Sequence, residues 1–417
     1  MNRSKYKSNN KIHNHWALSA LVVLSFTMAS QIAIAGSREQ AKRMHDRLAG
    51  VPPTEAVLND MAALISSGRE FDAAMKILSP DSSDPAPLYN DYKTSAKYFY
   101  SVTLKNMVTP WTNEAQTVFA PLNDYTATVI GMVRDEVPFN QLLSANIVYV
   151  GAPGVVSAGY SMSNNTLYEQ LEDQAIDLSD NTKLVRVAQT DVTNLPANAT
   201  AGIMTTRAAA RAFFVGGTNR AMFRFTILNH LCDDLEQIKD NSRSPDRVRQ
   251  DVSRSPGGDS RIYMNACVAC HAGMDPMAQA YAYYEWQYTG DTEEDMDQGH
   301  MVYTEGSVQP KYLINADTFK YGFVTTDDRW DNYWRVGPNS LLGWDSTLPG
   351  SGNGAKSMGM ELANSNAFAS CQVKKVYRTV CFRDPTVAEL TNTTSNFETG
   401  YNLKRVFAQA VADCMGN

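Results

Sequence analysis

Histidine is scarce in this chain, six residues in 417, and only His45, His230, His271 and His300 lie beyond residue 35. Few imidazoles are therefore available as metal ligands. Positive charge is also in deficit. Lys and Arg number 37 against 44 Asp and Glu, a formal net charge of −7. An acidic balance argues against nucleic acid and anionic lipid as partners and suits a partner with a basic face. Beyond the N-terminus no apolar run is long enough to span a bilayer, which takes about 20 residues. Several catalytic signatures are missing: Gly-x-Ser-x-Gly, a phosphate loop, a dinucleotide fingerprint and His-Glu-x-x-His. No internal repeat or low-complexity tract occurs.

What is present begins with a leader. Arg3, Lys5, Lys7 and Lys11 precede an apolar stretch from about Trp16 to Met28, then Ala33-Ile34-Ala35-Gly36. Basic, apolar and small-x-small segments in that order predict a secretory signal peptide over residues 1–35; the alternative is an uncleaved anchor. Removing its four basic residues leaves 33 against 44, a net charge of −11. The expected location is the periplasm or the exterior, with no transmembrane segment in the mature chain.

One pentapeptide carries specific chemistry. Cys267-Val268-Ala269-Cys270-His271 reads as Cys-x-x-Cys-His, the attachment signal for a c-type haem. Two thiols three residues apart can each add across a porphyrin vinyl group, and His271 follows as proximal iron ligand. A redox or zinc Cys-x-x-Cys shares four of these positions. The first expects a βαβ context and the second two further ligands nearby, and neither is seen. One covalent haem c per chain is expected, with Cys267 and Cys270 as anchors and His271 on the metal. No second such motif exists, which counts against a multihaem wire and a di-haem peroxidase.

The sixth iron ligand is open among Met358, Met360, His300 and an unfilled position. Met274 follows His271 by three residues and falls on the same side of the ring. A carbonyl near Pro276 would accept the second imidazole N–H, or Met274-Asp275-Pro276 merely ends the helix. Arg247, Arg249, Arg254 and Arg261 are candidates to pair haem propionates. Two aromatic clusters flank the site: Tyr281, Tyr283, Tyr284, Trp286 and Tyr288, then Trp330, Tyr333, Trp334 and Trp344. They read first as core around a bulky cofactor.

Helical spacing runs from Ser37 to Leu78, through Tyr89 to Leu122, and from Arg207 to Leu235 with a Gly216-Gly217 interruption. Residues 146–156 and 163–199 read as loops with short strands. Two helices, Met360 to Phe382 and about Tyr401 to Cys414, close the chain. The expected class is mainly α: a helical N-terminal domain over 36–200, then a cytochrome c-like helical haem domain with irregular aromatic loops and a C-terminal helical pair over 201–417. Cys232, Cys371, Cys381 and Cys414 remain for two disulfides in an oxidising compartment. Three pairings are possible. An antiparallel return of the last helix sets Cys414 beside Cys371 and Cys232 with Cys381.

With these residues laid out, the chain resembles the planctomycete-type family of large, secreted, multi-domain cytochrome c-like proteins. The resemblance rests on Cys267-Val-Ala-Cys270-His271-Ala-Gly-Met274-Asp275-Pro276. Weaker likenesses lie at Arg47–Thr54, Pro138–Ala145, Gly202–Thr205, Asn219-Arg220, Leu231-Cys232 and Leu362–Arg383. It implies a haem c domain within a helical scaffold and no settled activity. The function expected is a monohaem c-type cytochrome carrying single electrons between redox partner proteins. The alternatives are a haem-dependent oxidoreductase with an open sixth position, or a haem-bearing scaffold subunit of a redox complex.

Overall fold

The computed structural model describes residues 36–112, 121–215, 218–248, 260–290, 299–313 and 323–416. The leader therefore lies outside the described residues. The protein is mainly helical, as the spacing predicts, with only small sheets.

Three helices open the chain: α1 Ser37–Ala49, α2 Glu55–Ser66 and α3 Glu70–Leu78. Pro52-Pro53 breaks the first from the second, and Thr54 restarts the helix by accepting from the Val57 N–H at 3.3 Å. Val57, Leu58, Met61 and Ile65 form the buried stripe of α2. Helix α4 Ala86–Tyr98 continues the bundle.

Helix α5, Asp124–Arg134, is buried on all sides. Its start is a capping box in which Asn123 and Thr126 each accept from the other's backbone N–H, at 3.1 and 3.2 Å. Gly131 faces the Tyr149 ring so closely that a Cβ would sit 2.1 Å from it. Tyr149 belongs to β1 Val148–Gly151, which α6 Thr166–Asp173 covers and β2 Leu184–Val187 pairs antiparallel, Val148 opposite Val187. Helix α6 falls where the sequence pattern suggested only loop.

The expected long helix from Arg207 is two, α7 Arg207–Phe213 and α8 Arg220–Leu231. The buried Asp124 carboxylate accepts from the first N–H groups of α7, at 2.5 Å from Arg207 and 3.0 Å from Ala208. An acid at a helix N-terminus satisfies orphan donors and the positive end of the dipole together. Helix α9 Val268–Ala278 carries the Cys-x-x-Cys-His segment. Two hairpin-like pairs follow: β3 Tyr284–Tyr288 with β4 Gly299–Tyr303, and β5 Arg329–Asp331 with β6 Ser351–Asn353.

The chain closes with α10 Gly354–Ala363, α11 Asn366–Val380, α12 Val387–Glu398 and α13 Leu403–Cys414. Helix α13 packs on α3 and α1. Lys404 is 2 % exposed; its ammonium donates to the Arg134 carbonyl at 2.8 Å and pairs with Glu136 at 3.0 Å. Arg43 and Arg47 of α1 donate to the carbonyls of Met415 and Cys414 at 2.8 and 2.9 Å, capping the C-terminal helix. One apolar core thus runs from Ala41 to Met415, across residue 200.

The disulfides correct the expected pairing. Cys232 joins Cys371 with Cα atoms 5.3 Å apart, and Cys381 joins Cys414 at 5.8 Å. The reason is α12. It adds a second reversal between α11 and α13, so those two helices run the same way and Cys414 arrives beside Cys381. The Met360 to Phe382 helix is also broken, between Ala363 and Asn366.

Helix α8 ends in this staple. Cys232 caps it in a left-handed conformation, φ 60°. Two residues earlier His230 is 4 % exposed, with Nε2 2.6 Å from the Tyr125 hydroxyl. Burial, then the Lys375 charge, holds its imidazole well below the ordinary range.

Two outcomes follow. Peptide mapping under non-reducing conditions should recover Cys232 with Cys371, and the Cys232→Ala/Cys371→Ala double variant should lose about 2–4 kcal/mol of stability. Acid should destabilise the fold through His230. The unfolded ring takes a proton that the folded one refuses, so stability falls as pH drops below about 6.5, by up to about 1.4 kcal/mol per pH unit. Urea unfolding across that range should show a shallower pH slope for His230→Gln than for the unsubstituted protein.

Candidate functional site

A widened, π-type turn over Tyr263–Cys267 feeds α9, and Cys267 is the helix N-cap. Such turns recur at functional sites because they re-aim side chains. Spacing of three along the helix sets Cys267 and Cys270 on one face. Both thiols are half-buried and unbridged. Cys270 Sγ lies 3.5 Å from the Leu235 carbonyl as donor. Burial, then the Glu236 charge, pushes this thiol up. Among the described residues, no group of three or more His, Cys, Asp or Glu is placed to hold a metal ion.

Helices α8 and α9 pack against each other and open a cleft of about 430 Å³. Arg220, Arg224, Phe225 and Leu235 line it with Cys267, Cys270, His271 and Met274. The volume falls within the ~300–1,000 Å³ of small-molecule and cofactor sites. A larger groove, about 600 Å³, lies between α12 and α13 with Glu389, Asn392, Gln409 and Asp413 on its walls. Its carboxylates are already engaged: Glu389 by Arg383, and Asp413 by Tyr377 and Gln409.

His271 Nδ1 faces a side-chain carboxylate. Its Nδ1 lies 3.1 and 3.2 Å from the two oxygens of Asp275, one helical turn on. Pro276 does not end the helix, which runs on to Ala278. Arg220 of α8 clamps the same carboxylate, Nε to Oδ1 at 2.8 Å and Nη2 to Oδ2 at 2.7 Å. The Asp275 side chain is 9 % exposed. Burial alone would raise its pKa, but the Arg220 charge and the bonds from His271 and Arg220 outweigh that and hold it below the ordinary carboxylate value. An ionised acceptor at Nδ1 assigns the ring proton to that nitrogen and the ligating lone pair to Nε2.

Arg224, one turn beyond Arg220, is held in the same way by Asp234, with both bonds at 2.7 Å. These two border the cleft. Arg247 is turned elsewhere, onto Gln279, the Arg329 carbonyl and Asp331. Arg261 is exposed, and Arg249 and Arg254 lie outside the described residues. The pattern Arg220-x-x-x-Arg224 on one helix face was the available signal for the cleft pair.

The other proposed ligands sit apart. Met358 is fully buried in the core on α10, and Met360 is 41 % exposed on the same helix. His300 is exposed in β4, opposite Gln287. None of the three lines the cleft, whereas Met274 does.

Of the two aromatic clusters, Tyr281, Tyr283, Tyr284, Trp286, Trp330 and Trp334 are core, Tyr333 and Trp344 are half-buried, and Tyr288 is exposed. Tyr284 stacks on Phe214 at 5.2 Å, and its hydroxyl donates to the Ala199 carbonyl at 2.6 Å. Trp334, 1 % exposed, lies against Phe223 of α8 at 5.7 Å and against the backbone of α9 at Gly273. A Cβ at Gly273 would fall 2.0 Å from the indole nitrogen, so only glycine lets α9 approach this ring.

The residues present meet what a covalent haem would require of this chain. They supply two thiols on one helical face, an adjacent imidazole oriented by a carboxylate, and a partly apolar cleft. No known family model, curated protein or solved structure matches the chain, and no helix among the described residues is long and apolar enough to cross a membrane.

Gly273→Ala should force α9 away from Trp334. The expected cost is about 1–3 kcal/mol, together with an altered near-ultraviolet circular dichroism signal from the displaced indole.

Proposed function

We propose that this chain is an exported monohaem c-type cytochrome, carrying single electrons between redox partner proteins in the periplasm or outside the cell. One observation carries the reading: two half-buried thiols three residues apart share a cleft with a histidine whose Nδ1 faces a buried carboxylate. When bound, haem supplies an iron that takes up and returns one electron. The chain's own residues do the rest. Cys267 and Cys270 anchor through thioethers, and His271 presents Nε2. Asp275 keeps the ring proton on Nδ1. Phe225, Leu235 and Met274 give the cleft apolar walls that limit water. The resemblance to planctomycete-type cytochrome c-like proteins supports the same assignment through Cys267–Pro276.

A second reading is a haem-dependent oxidoreductase with an open sixth position. It is favoured by the placement of Met358, Met360 and His300 outside the cleft. In that case the sixth site would admit a small molecule.

Co-expression with a haem-attachment system decides between these. The chain should gain the mass of one haem and give a pyridine haemochrome spectrum of two thioether bonds. Cys267→Ser/Cys270→Ser should retain none covalently. A colourless product with the mass of the bare polypeptide overturns the reading. A spectrum unchanged by cyanide marks the electron carrier, and a shifted spectrum marks the oxidoreductase.

A further inference from the structure

The imidazole that would face the iron is backed by a full negative charge rather than by a neutral carbonyl. Asp275 Oδ1 and Oδ2 stand 3.1 and 3.2 Å from His271 Nδ1. A carboxylate acceptor draws the ring proton toward itself and makes the opposite nitrogen a stronger donor. A stronger donor stabilises the oxidised metal and lowers its potential. The same carboxylate is shared. Arg220 donates to both of its oxygens, at 2.8 and 2.7 Å, from a different helix. Each bond from Arg220 withdraws electron density that would otherwise pull on the imidazole proton.

We infer that Asp275 and Arg220 are an opposed positioning pair, Asp275 strengthening His271 as an iron ligand and Arg220 tempering that push. The inference rests on the haem reading above. The pair couples the iron's potential to the packing of α8 on α9, because Arg220 and His271 reach one carboxylate from the two helices. Glu236 supplies the internal control. It lines the same cleft and carries the same charge, but its ion pair is with Lys239.

The test uses the full chain carrying covalent haem. Asp275→Asn should raise the midpoint potential. The expected size is at least a tenfold change in the ratio of oxidised to reduced protein at fixed solution potential, about 59 mV for one electron. It should also lower the iron–histidine stretching frequency of the five-coordinate ferrous form, generated by photolysis of the carbon monoxide adduct. Arg220→Gln should move both readouts the other way. Glu236→Gln should shift the potential less than Asp275→Asn and leave the stretching band in place, which separates ligand strength from bulk charge. An Asp275→Asn variant indistinguishable from Glu236→Gln overturns the inference, as does a band that Asp275→Asn and Arg220→Gln move in the same direction. Bare polypeptide mass in every preparation would sink the haem reading instead. The haem-free chain then still tests the pair: nitrogen-15 NMR at mildly alkaline pH should find the His271 proton on Nδ1, and a proton on Nε2 would overturn the assignment.

Discussion

A carboxylate removed from water must be paired, and Asp275 is where that constraint shapes this protein. An unpaired buried charge costs several kcal/mol. Asp275 meets the requirement with two cationic or polar partners on different helices, His271 one turn away and Arg220 across the α8–α9 crossing. The pairing fixes the ring orientation of His271 and the register of the two helices in one stroke. Trp334 sets the separation from the other side, by filling the space that the missing Gly273 side chain leaves. The cleft geometry is thus decided by a bidentate ion pair and one close backbone approach, both insensitive to what lines the rest of the opening.

The remainder of the chain keeps α8 still. Its far end is fastened to α11 by Cys232–Cys371 and its last turn is packed between Tyr125 and Phe368 through His230. Helix α5, buried on every face, supplies Tyr125 and also the Asp124 carboxylate that starts α7. The C-terminal helix returns to α1 and α3, held by the arginines of α1, while Lys404 ties it to the end of α5. The apolar core is continuous through these ties, and α8, which carries Arg220, is anchored at its C-terminal end to α11 and α5.

What could be read from the residues alone follows from the range of the physics. A Cys-x-x-Cys-His signal is a fixed local spacing, so Cys267, Cys270 and His271 stood out in five consecutive positions. Helices α1 to α3 were legible because their apolar residues recur at three and four. Helix α12 was not, because Thr and Asn are weak helix formers and dominate it. Its capping box, Thr386 with Glu389, was the overlooked signal. That one omission reversed the direction assigned to α13 and with it both disulfides. The Arg220–Asp275 contact was hidden for a different reason. It joins residues 55 apart in the chain, and no local pattern marks which arginine will face which acid. Met274-Asp275-Pro276 invited a reading as helix punctuation, and the acid in the middle turned out to hold the histidine.

The electrostatics of the cleft follow from the same pairing. A cleft that is to accept a flat apolar body, yet carries two arginines, faces a conflict, since unpaired guanidinium groups resist losing water. Here each arginine brings its own carboxylate, Arg220 with Asp275 and Arg224 with Asp234, both in bidentate geometry. The local charge is then nearly balanced before anything enters. Apolar surface can be buried beside Phe225, Leu235 and Met274 without stranding a cation. The acidic surplus of the whole chain, −7 in the full sequence, is therefore not carried into the cleft. Any recognition of a charged partner then falls to the outer surface, where solvent screens it.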